Sequence, residues 1–213
     1  MPPKPTIALF VHQPACSVDS LNGVILSLKD EYTFKLFSKD EVEDTFFDNV
    51  DMVCVPGGIG DADLFDKLMK YNCQHIRRFV RAGGKYLGIC MGAYWAGPHY
   101  FNILDRVRPI QYIRRPNTDT RRPHPKAQLV LWKGQEERMF FYDGCALVGS
   151  GIDSSKIWSL YPNGDPMAVI QGRIGLIGCH PESQEYWYNK QYLKTHWHQG
   201  RHHDLLLDFV KNI

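Results

Sequence analysis

In the first part of the chain, short apolar runs alternate with segments in which apolar residues recur every three or four positions. The apolar runs predict strands at 6–11, 32–36, 52–55 and 85–89. The helical spacing predicts helices at 17–29, 62–70 and 72–81, the first of them capped by Ser17. Strands that alternate with helices are typical of a parallel sheet with helices on both faces. The pattern therefore predicts an α/β fold.

The second half of the chain is less regular. Its apolar runs predict strands at 127–132, 139–142, 157–161, 167–171 and 173–178, followed by a closing helix at 204–213. Asp143-Gly144, Asn163-Gly164 and Gln171-Gly172 are turn signals between these short strands and favour hairpins at the edge of the sheet. We find no linker or internal repeat, so one domain is expected over residues 1–213.

Composition narrows the classes of function. A net charge of +2 with 23% charged residues is not that of a protein that coats nucleic acid, so no nucleic-acid partner is expected. The opening residues predict neither a secretory signal nor a membrane span, and we expect a cytoplasmic protein. The six cysteines contain no CxxC pair, which favours neither a zinc site nor a disulfide framework, and Cys54 is expected in the core.

The most informative stretch is Gly88-Ile89-Cys90-Met91-Gly92, which links a predicted buried strand to a predicted helix. Such a strand-to-helix turn, here called the elbow, exposes its central residue at the end of the sheet, and the flanking glycines allow the tight bend. Free backbone N–H groups at the start of the helix favour a thiolate. Cys90 is therefore the candidate nucleophile.

A second motif, Cys179-His180-Pro181-Glu182, follows a late apolar run. His180 is expected to accept the proton of the nucleophile and return it to the leaving group, while Glu182 orients the imidazole. Alternation along the strand points Cys179 away from this site and into the core. The Gly57-Gly58 turn, after another strand, is expected to offer an oxyanion donor at Gly58 opposite the Met91 N–H. The carboxyl ends of parallel strands bring these groups together.

The order of these motifs resembles the class I glutamine amidotransferase-like superfamily, whose members carry cysteine in G-x-C-x-G and a later His-x-Glu pair. A narrower resemblance is to the N-terminal domain of biotin-protein ligases. It rests on residues 79–94 (FVRAGGKYLGICMGAY), on Val55-Pro56-Gly57-Gly58, on Phe141-Tyr142-Asp143-Gly144-Cys145 and on the His180-Pro181-Glu182 end. The resemblance implies a flavodoxin-like open, mainly parallel sheet with a Cys90-His180-Glu182 triad at its carboxyl edge.

The resemblance implies hydrolysis or transfer of the acyl group of a small-molecule amide through a thioester on Cys90, without a cofactor or metal. Gly57 and Tyr94 are expected beside the substrate. Glutamine-using relatives typically have Gln where this chain has Tyr94, so glutamine is not implied as the substrate. No stretch resembles the adenylate-binding motif of the ligases, so biotin transfer is not implied either.

Two other classes of function stay open. One is a non-catalytic binding or regulatory domain that keeps the fold and the motif. The other is a glutaminase subunit that works with a synthetase-like partner protein. A homo-oligomer is also compatible with the sequence.

Three further segments have alternative interpretations. A cluster of arginines follows the elbow and its helix, and this composition is typical of a solvated loop. If the segment folds over the elbow instead, Arg114 or Arg115 could hold an acidic substrate group. The members of the cluster are Arg106, Arg108, Arg114, Arg115, Arg121 and Arg122. Several histidines, here called the histidine tail, lie shortly before the predicted closing helix, and we interpret this stretch as a solvated loop and not as a metal site. These are His196, His198, His202 and His203. The turn at 11–17, which contains Cys16, either lines the pocket or only supplies the Ser17 cap.

Overall fold

A nine-stranded sheet forms the centre of the computed structural model, which describes residues 3–12, 17–43, 45–59 and 61–213. The strand order is β2-β1-β3-β4-β11-β10-β9-β6-β7, and β5 and β8 pair in a separate small sheet. The strands are β1 Thr6–Phe10, β2 Thr33–Phe37, β3 Met52–Val55, β4 Lys85–Ile89, β5 Arg108–Gln111, β6 Lys126–Trp132, β7 Gln135–Phe141, β8 Cys145–Val148, β9 Ile157–Leu160, β10 Pro166–Gln171 and β11 Ile174–Ile177.

The first five strands of that order run parallel to one another. The order β2-β1-β3-β4-β11 is that of a flavodoxin-like sheet. From β10 to β7 the strands are antiparallel hairpins or their neighbours. The predicted α/β class, with an open and mainly parallel sheet, is confirmed.

Helices cover both faces of the sheet. They are α1 Val18–Leu28, α2 Ala62–Met69, α3 Cys73–Arg81, α4 Met91–Trp95 and α5 Arg201–Lys211. Strand β1 shows how one strand serves two cores. Its Ile7 and Leu9 pack with α1 and α5, whereas Ala8 and Phe10 pack with α2, α3 and α4. This alternation is what a strand buried on both faces requires.

Ser17 caps α1 as predicted, because its side chain accepts a hydrogen bond from the backbone N–H of Ser20. Residues 13–16 of the preceding turn, Cys16 included, lie outside the described residues. No helix within the described part of the chain is long and apolar enough to cross a membrane.

The pattern of apolar residues missed β5 and β8 and placed the start of β7 four residues too late. Strand β7 opens with four polar residues at the outer edge of the sheet, where one side of the strand faces water and apolar alternation is weak. Strand β5 contains Pro109 and lies in the arginine cluster. That cluster is not a loop throughout: Tyr112, just after β5, is buried and stacks on Tyr161 at 3.7 Å between ring centroids.

The carboxyl ends of β3, β4 and β11 lie side by side in the sheet. Strand β3 leads into Pro56-Gly57-Gly58, β4 leads into Cys90, and β11 is followed by His180. The backbone N–H of Cys90 donates to the carbonyl oxygen of Ile177, at 2.8 Å, which ties the end of β4 to the end of β11. The three predicted motifs therefore share one edge of the sheet.

Candidate active site

Cys90 lies on a sharp turn between β4 and α4. Its φ of 49° and ψ of −101° are sparsely populated for a residue with a side chain, and such strained positions are found where the fold has to aim a side chain. A Cβ on Gly92 would overlap the carbonyl oxygen of Val55, and a Cβ on Gly88 would lie 2.5 Å from the carbonyl oxygen of Gly92. Both glycines are thus required for the bend, as the sequence predicted.

The thiol of Cys90 is nearly buried, with 6% of the residue exposed. Its Sγ lies 3.9 Å from the carbonyl oxygen of Tyr142, in the loop that follows β7. Burial of this kind shields the sulfur from bulk solvent.

His180 is 5% exposed, and its Nδ1 lies 2.8 Å from Oε1 of Glu182, which is fully buried. Burial by itself lowers the pKa of His180, but the Glu182 carboxylate, together with the charge and hydrogen bond of Cys90, raises it to about 10. The imidazole therefore has the Glu182 carboxylate at its Nδ1, and it lies close enough to Cys90 for the thiol to contribute to the raised pKa. These residue types in this order can hold a proton and deliver it.

Glu182 is held by groups from two other elements. Oγ of Ser20, in α1, donates to Glu182 Oε1 at 2.6 Å and accepts from the Gly57 N–H at 2.8 Å. Gly23, one turn further along α1, leaves no room for a Cβ because the backbone carbonyl of Glu182 lies against it. Sequence reasoning missed Ser20, although a serine on the buried, apolar face of an amphipathic helix was the available signal.

The Gly57-Gly58 turn packs directly on the histidine. A Cβ on Gly57 would lie 2.5 Å from Cε1 of His180, so glycine is needed here for the ring to fit. Because the Gly57 N–H donates to Ser20, that donor is engaged within the protein. Gly58, the predicted oxyanion donor, is half-buried beside it.

Tyr94, on α4 after the elbow, donates from its hydroxyl to the carbonyl oxygen of Asp143 at 3.1 Å. Burial raises its pKa well above the usual value, with smaller contributions from Cys145, Cys90 and Asp143, while Arg114 opposes the rise. Tyr94 thus ties α4 to the loop after β7. Asp143 is fixed from the opposite side by Gln111, whose Nε2 donates to Oδ2 at 2.8 Å.

The two arginines predicted as candidates for binding an acidic group differ. Arg114 is exposed, and its charge acts on Tyr94 and Asp143. Arg115 donates from Nε and Nη2 to the two carboxylate oxygens of Asp165, at 2.8 and 2.9 Å, in a bidentate pair. The guanidinium of Arg115 is therefore already occupied by a carboxylate of the protein.

Two other cysteines are placed as predicted. Cys54 is fully buried in β3, and Cys179 is fully buried with its Sγ 3.7 Å from the Tyr161 hydroxyl. Burial raises the pKa of Cys179, so this thiol stays protonated. Cys179 therefore belongs to the core although it directly precedes His180.

The histidine tail is not a solvated loop, and that prediction is wrong for His198 and His202. Both are buried, with their rings stacked at 4.0 Å. His202 Nε2 lies 3.1 Å from Oε2 of Glu137, which also pairs with Arg201. Nε2 of both His198 and His203 lies within hydrogen-bond distance of the backbone carbonyl oxygen of Ser183, at 3.2 and 3.0 Å. The tail thus supports the chain just after Glu182.

Among the described residues, no group of three or more histidine, cysteine or carboxylate side chains is arranged to hold a metal ion. The stacked histidines fit this finding, since Ser183 and Glu137 occupy their Nε2 atoms.

Comparison with known proteins gives a family match over part of the chain. Residues 9–104 match the family described as "Biotin-protein ligase, N terminal". This range is a little under half of the chain; it includes the elbow and ends before His180. No curated protein matches the chain.

Several solved structures share the fold. PurLQS from Thermotoga maritima has a TM-score of 0.63 at 16% identity, over 96% of this chain and 100% of that one. A glutamine amidotransferase from the same organism has a TM-score of 0.70 at 13% identity, over 99% and 98%. A protein assigned as a GMP synthase subunit, from Thermoplasma acidophilum, has a TM-score of 0.63 at 12% identity, over 99% and 96%. At these identities the likeness is one of fold, and it agrees with the predicted fold.

Proposed function

Because the chain is similar to the N-terminal domain of biotin-protein ligases over residues 9–104 and has the fold of glutamine amidotransferases, we propose that it is a cysteine-dependent amide hydrolase or acyl transferase. The observation that carries the proposal is the position of Cys90. It stands at a strained turn, and it is close enough to contribute to the raised pKa of a buried histidine whose Nδ1 is 2.8 Å from a carboxylate. A core cysteine needs neither the strain nor the histidine.

The first half of the reaction forms a thioester. The Cys90 sulfur attacks the amide carbonyl carbon, and the carbonyl electron pair moves to oxygen. When the tetrahedral species collapses, the C–N bond breaks and the protonated His180 gives its proton to the departing nitrogen. Glu182 keeps the ring oriented and stabilises its charged form, in agreement with the raised pKa of His180.

The second half releases the acyl group. Neutral His180 takes a proton from water, or from an acceptor nucleophile, which attacks the thioester carbonyl. The C–S bond then breaks, and the sulfur leaves as a thiolate that pairs again with the histidinium. Water as the nucleophile gives a carboxylic acid and ammonia or an amine as products.

Two backbone donors are proposed for the oxyanion. The Met91 N–H is at the first position of α4, where a helix leaves its N–H groups without an intrahelical partner. The Gly58 N–H is the second donor, at the adjoining turn after β3. Since the Gly57 N–H is used by Ser20, the assignment falls to Gly58 and not to its neighbour.

The proposed substrate is a small amide with an acidic group at the end that faces Arg114, the exposed guanidinium near Tyr94 and Asp143. A bond of the γ-glutamyl type meets this description. Tyr94, which is tied to Asp143 in place of the glutamine-holding side chain of relatives, favours an amide other than free glutamine.

A glutaminase component of a two-protein enzyme is the second candidate, favoured by the fold shared with PurLQS and with the GMP synthase protein of Thermoplasma acidophilum. In that case turnover needs a synthetase-like partner. A binding or regulatory domain is the third, and it predicts no turnover at all.

The test is a panel of γ-glutamyl amides, glutamine and simple primary amides, with release of ammonia or amine as the signal and hydroxylamine as a trap for the thioester. We expect hydroxamate formation that Cys90→Ala lowers by at least about 100-fold. Cys73→Ala, which removes a half-buried cysteine on α3, is the matched control and should leave turnover unchanged. Equal turnover by wild type and Cys90→Ala would refute the proposal.

A further inference from the structure

Ser20 connects two parts of the site that are distant in sequence. It is fully buried on α1, and its hydroxyl bridges the Gly57 N–H, at 2.8 Å, and Oε1 of Glu182, at 2.6 Å. The same Oε1 lies 2.8 Å from Nδ1 of His180. A continuous row of hydrogen bonds therefore runs from the turn after β3 to the imidazole.

The chemistry of the groups fixes the direction of these bonds. A backbone N–H can only donate, so the Ser20 oxygen is the acceptor for Gly57. The single hydroxyl hydrogen of Ser20 is then available for a hydrogen bond to the Glu182 carboxylate, which accepts that bond. Charge-assisted bonds of this kind are shorter and stronger than neutral ones, in agreement with the 2.6 Å distance.

Glu182 has few other partners. Its second oxygen, Oε2, is buried with no hydrogen-bond partner in the described part of the chain. Besides His180, the Ser20 hydroxyl is thus the donor that holds the carboxylate where it is. The close approach of Gly23 to the Glu182 backbone adds steric support but gives the carboxylate no direction.

We propose that Ser20 is a positioning residue for the reaction. Its hydroxyl aligns the Glu182 carboxylate with His180 and fixes the position of the Gly57-Gly58 turn relative to these two residues. The inference rests on the proposed function, since it concerns the same site. It adds that the proton-transfer pair and the oxyanion turn are set by one hydroxyl group, so that neither can move without the other.

The test is a double-mutant cycle read as the rate at which iodoacetamide alkylates Cys90, followed by mass spectrometry of the peptide that contains it. Ser20→Ala should slow alkylation by about tenfold in the otherwise wild-type protein, the loss expected for one charge-assisted bond. In a Glu182→Ala background the same change should slow it less than about twofold, because Ser20 then has no carboxylate to align.

Ser27→Ala is the matched control. Ser27 lies on the same helix, and its hydroxyl donates to the Gly23 carbonyl oxygen at 2.7 Å, within α1, and not to the Glu182 carboxylate. This variant should alkylate at the wild-type rate. Ser20→Thr and Ser20→Val are compared in parallel. They share one shape and differ in the hydroxyl, so any steric cost is common to both and the faster alkylation of Ser20→Thr reports the hydrogen bonds.

The outcomes separate the two proposals. If alkylation depends on His180 but Ser20→Ala matches wild type, or if the Ser20→Ala effect is equally large without Glu182, the role of Ser20 is refuted and the proposed function stands. Equal rates for Ser20→Thr and Ser20→Val would also refute it. If His180→Ala itself leaves the rate unchanged, the proposed function fails first.

Discussion

Arg114 and Arg115 are adjacent in sequence but meet different surroundings. Arg115 is half-buried in a bidentate pair with Asp165, and the pair lowers the pKa of that carboxyl. Arg114 is exposed beside Asp143 and Tyr94. One guanidinium therefore stabilises the fold, and the other is available to a ligand.

Comparison of Arg114→Gln with Arg115→Gln tests this division. Arg115→Gln should lower the free energy of unfolding by about 1 kcal/mol, because it removes the bidentate guanidinium of a partly buried carboxylate, which then keeps the uncharged Asn163 amide. Arg114→Gln should change stability by less than about 0.5 kcal/mol but raise KM for a γ-glutamyl amide about tenfold, with little effect on a neutral amide. Urea unfolding and steady-state kinetics give the two quantities. An unchanged KM for the acidic substrate in Arg114→Gln would remove Arg114 from the binding site.

At the scale of elements, the parallel half of the sheet was predictable and the antiparallel half only in part. Strands β1, β3 and β4 are buried on both faces, so their apolar runs stand out from the helices that flank them. The edge strand β7 begins with polar residues, and its extent is set by pairing with β6, which local sequence does not reveal. Strands β5 and β8 exist through their mutual pairing in a second sheet.

The same reasoning applies to the site. Cys90 could be singled out because it follows β4 in a glycine-flanked motif, and His180 and Glu182 because they share a second motif after β11. Ser20 was not, since its bond to Glu182 joins residues far apart in the chain and no spacing rule connects them. The histidine tail was misjudged because Glu137, the buried partner of His202, lies in the unpredicted part of β7.

At the scale of the whole molecule, the buried histidines make stability depend on pH. Burial, together with the charges of His202 and His203, lowers the pKa of His198 to about 3. Burial lowers the pKa of His202 to about 4, although Glu137 opposes the shift. Unfolded histidine titrates near pH 6.5, so below that pH the unfolded chain binds protons that the folded protein refuses.

We therefore expect the free energy of unfolding to fall by up to about 4 kcal/mol between pH 7 and pH 5, from two histidines at about 1.4 kcal/mol per pH unit each. The raised pKa of His180 contributes stability that is fully present below about pH 6.5 and is lost as pH rises toward 10. It therefore does not produce this slope. Glu137, with a lowered pKa, loses its contribution to stability only below about pH 4.5.

Urea unfolding at several pH values measures this dependence. The His198→Gln/His202→Gln variant should show a flatter dependence of the free energy of unfolding on pH. The control variant His196→Gln, which changes a half-buried histidine, should show the wild-type dependence. A double variant as steep as wild type would refute this account.

Whether Cys90 is an activated nucleophile can be measured from the rate of its alkylation between about pH 4 and pH 10, in wild type and in His180→Ala. Because the raised pKa of His180 keeps its ring protonated across neutral pH, its charge favours the thiolate, and wild-type alkylation should remain fast near pH 6, where an ordinary thiol is almost wholly protonated. His180→Ala should shift the profile toward that of an ordinary thiol. If both proteins follow the profile of an ordinary thiol, Cys90 is not an activated nucleophile and the account is wrong.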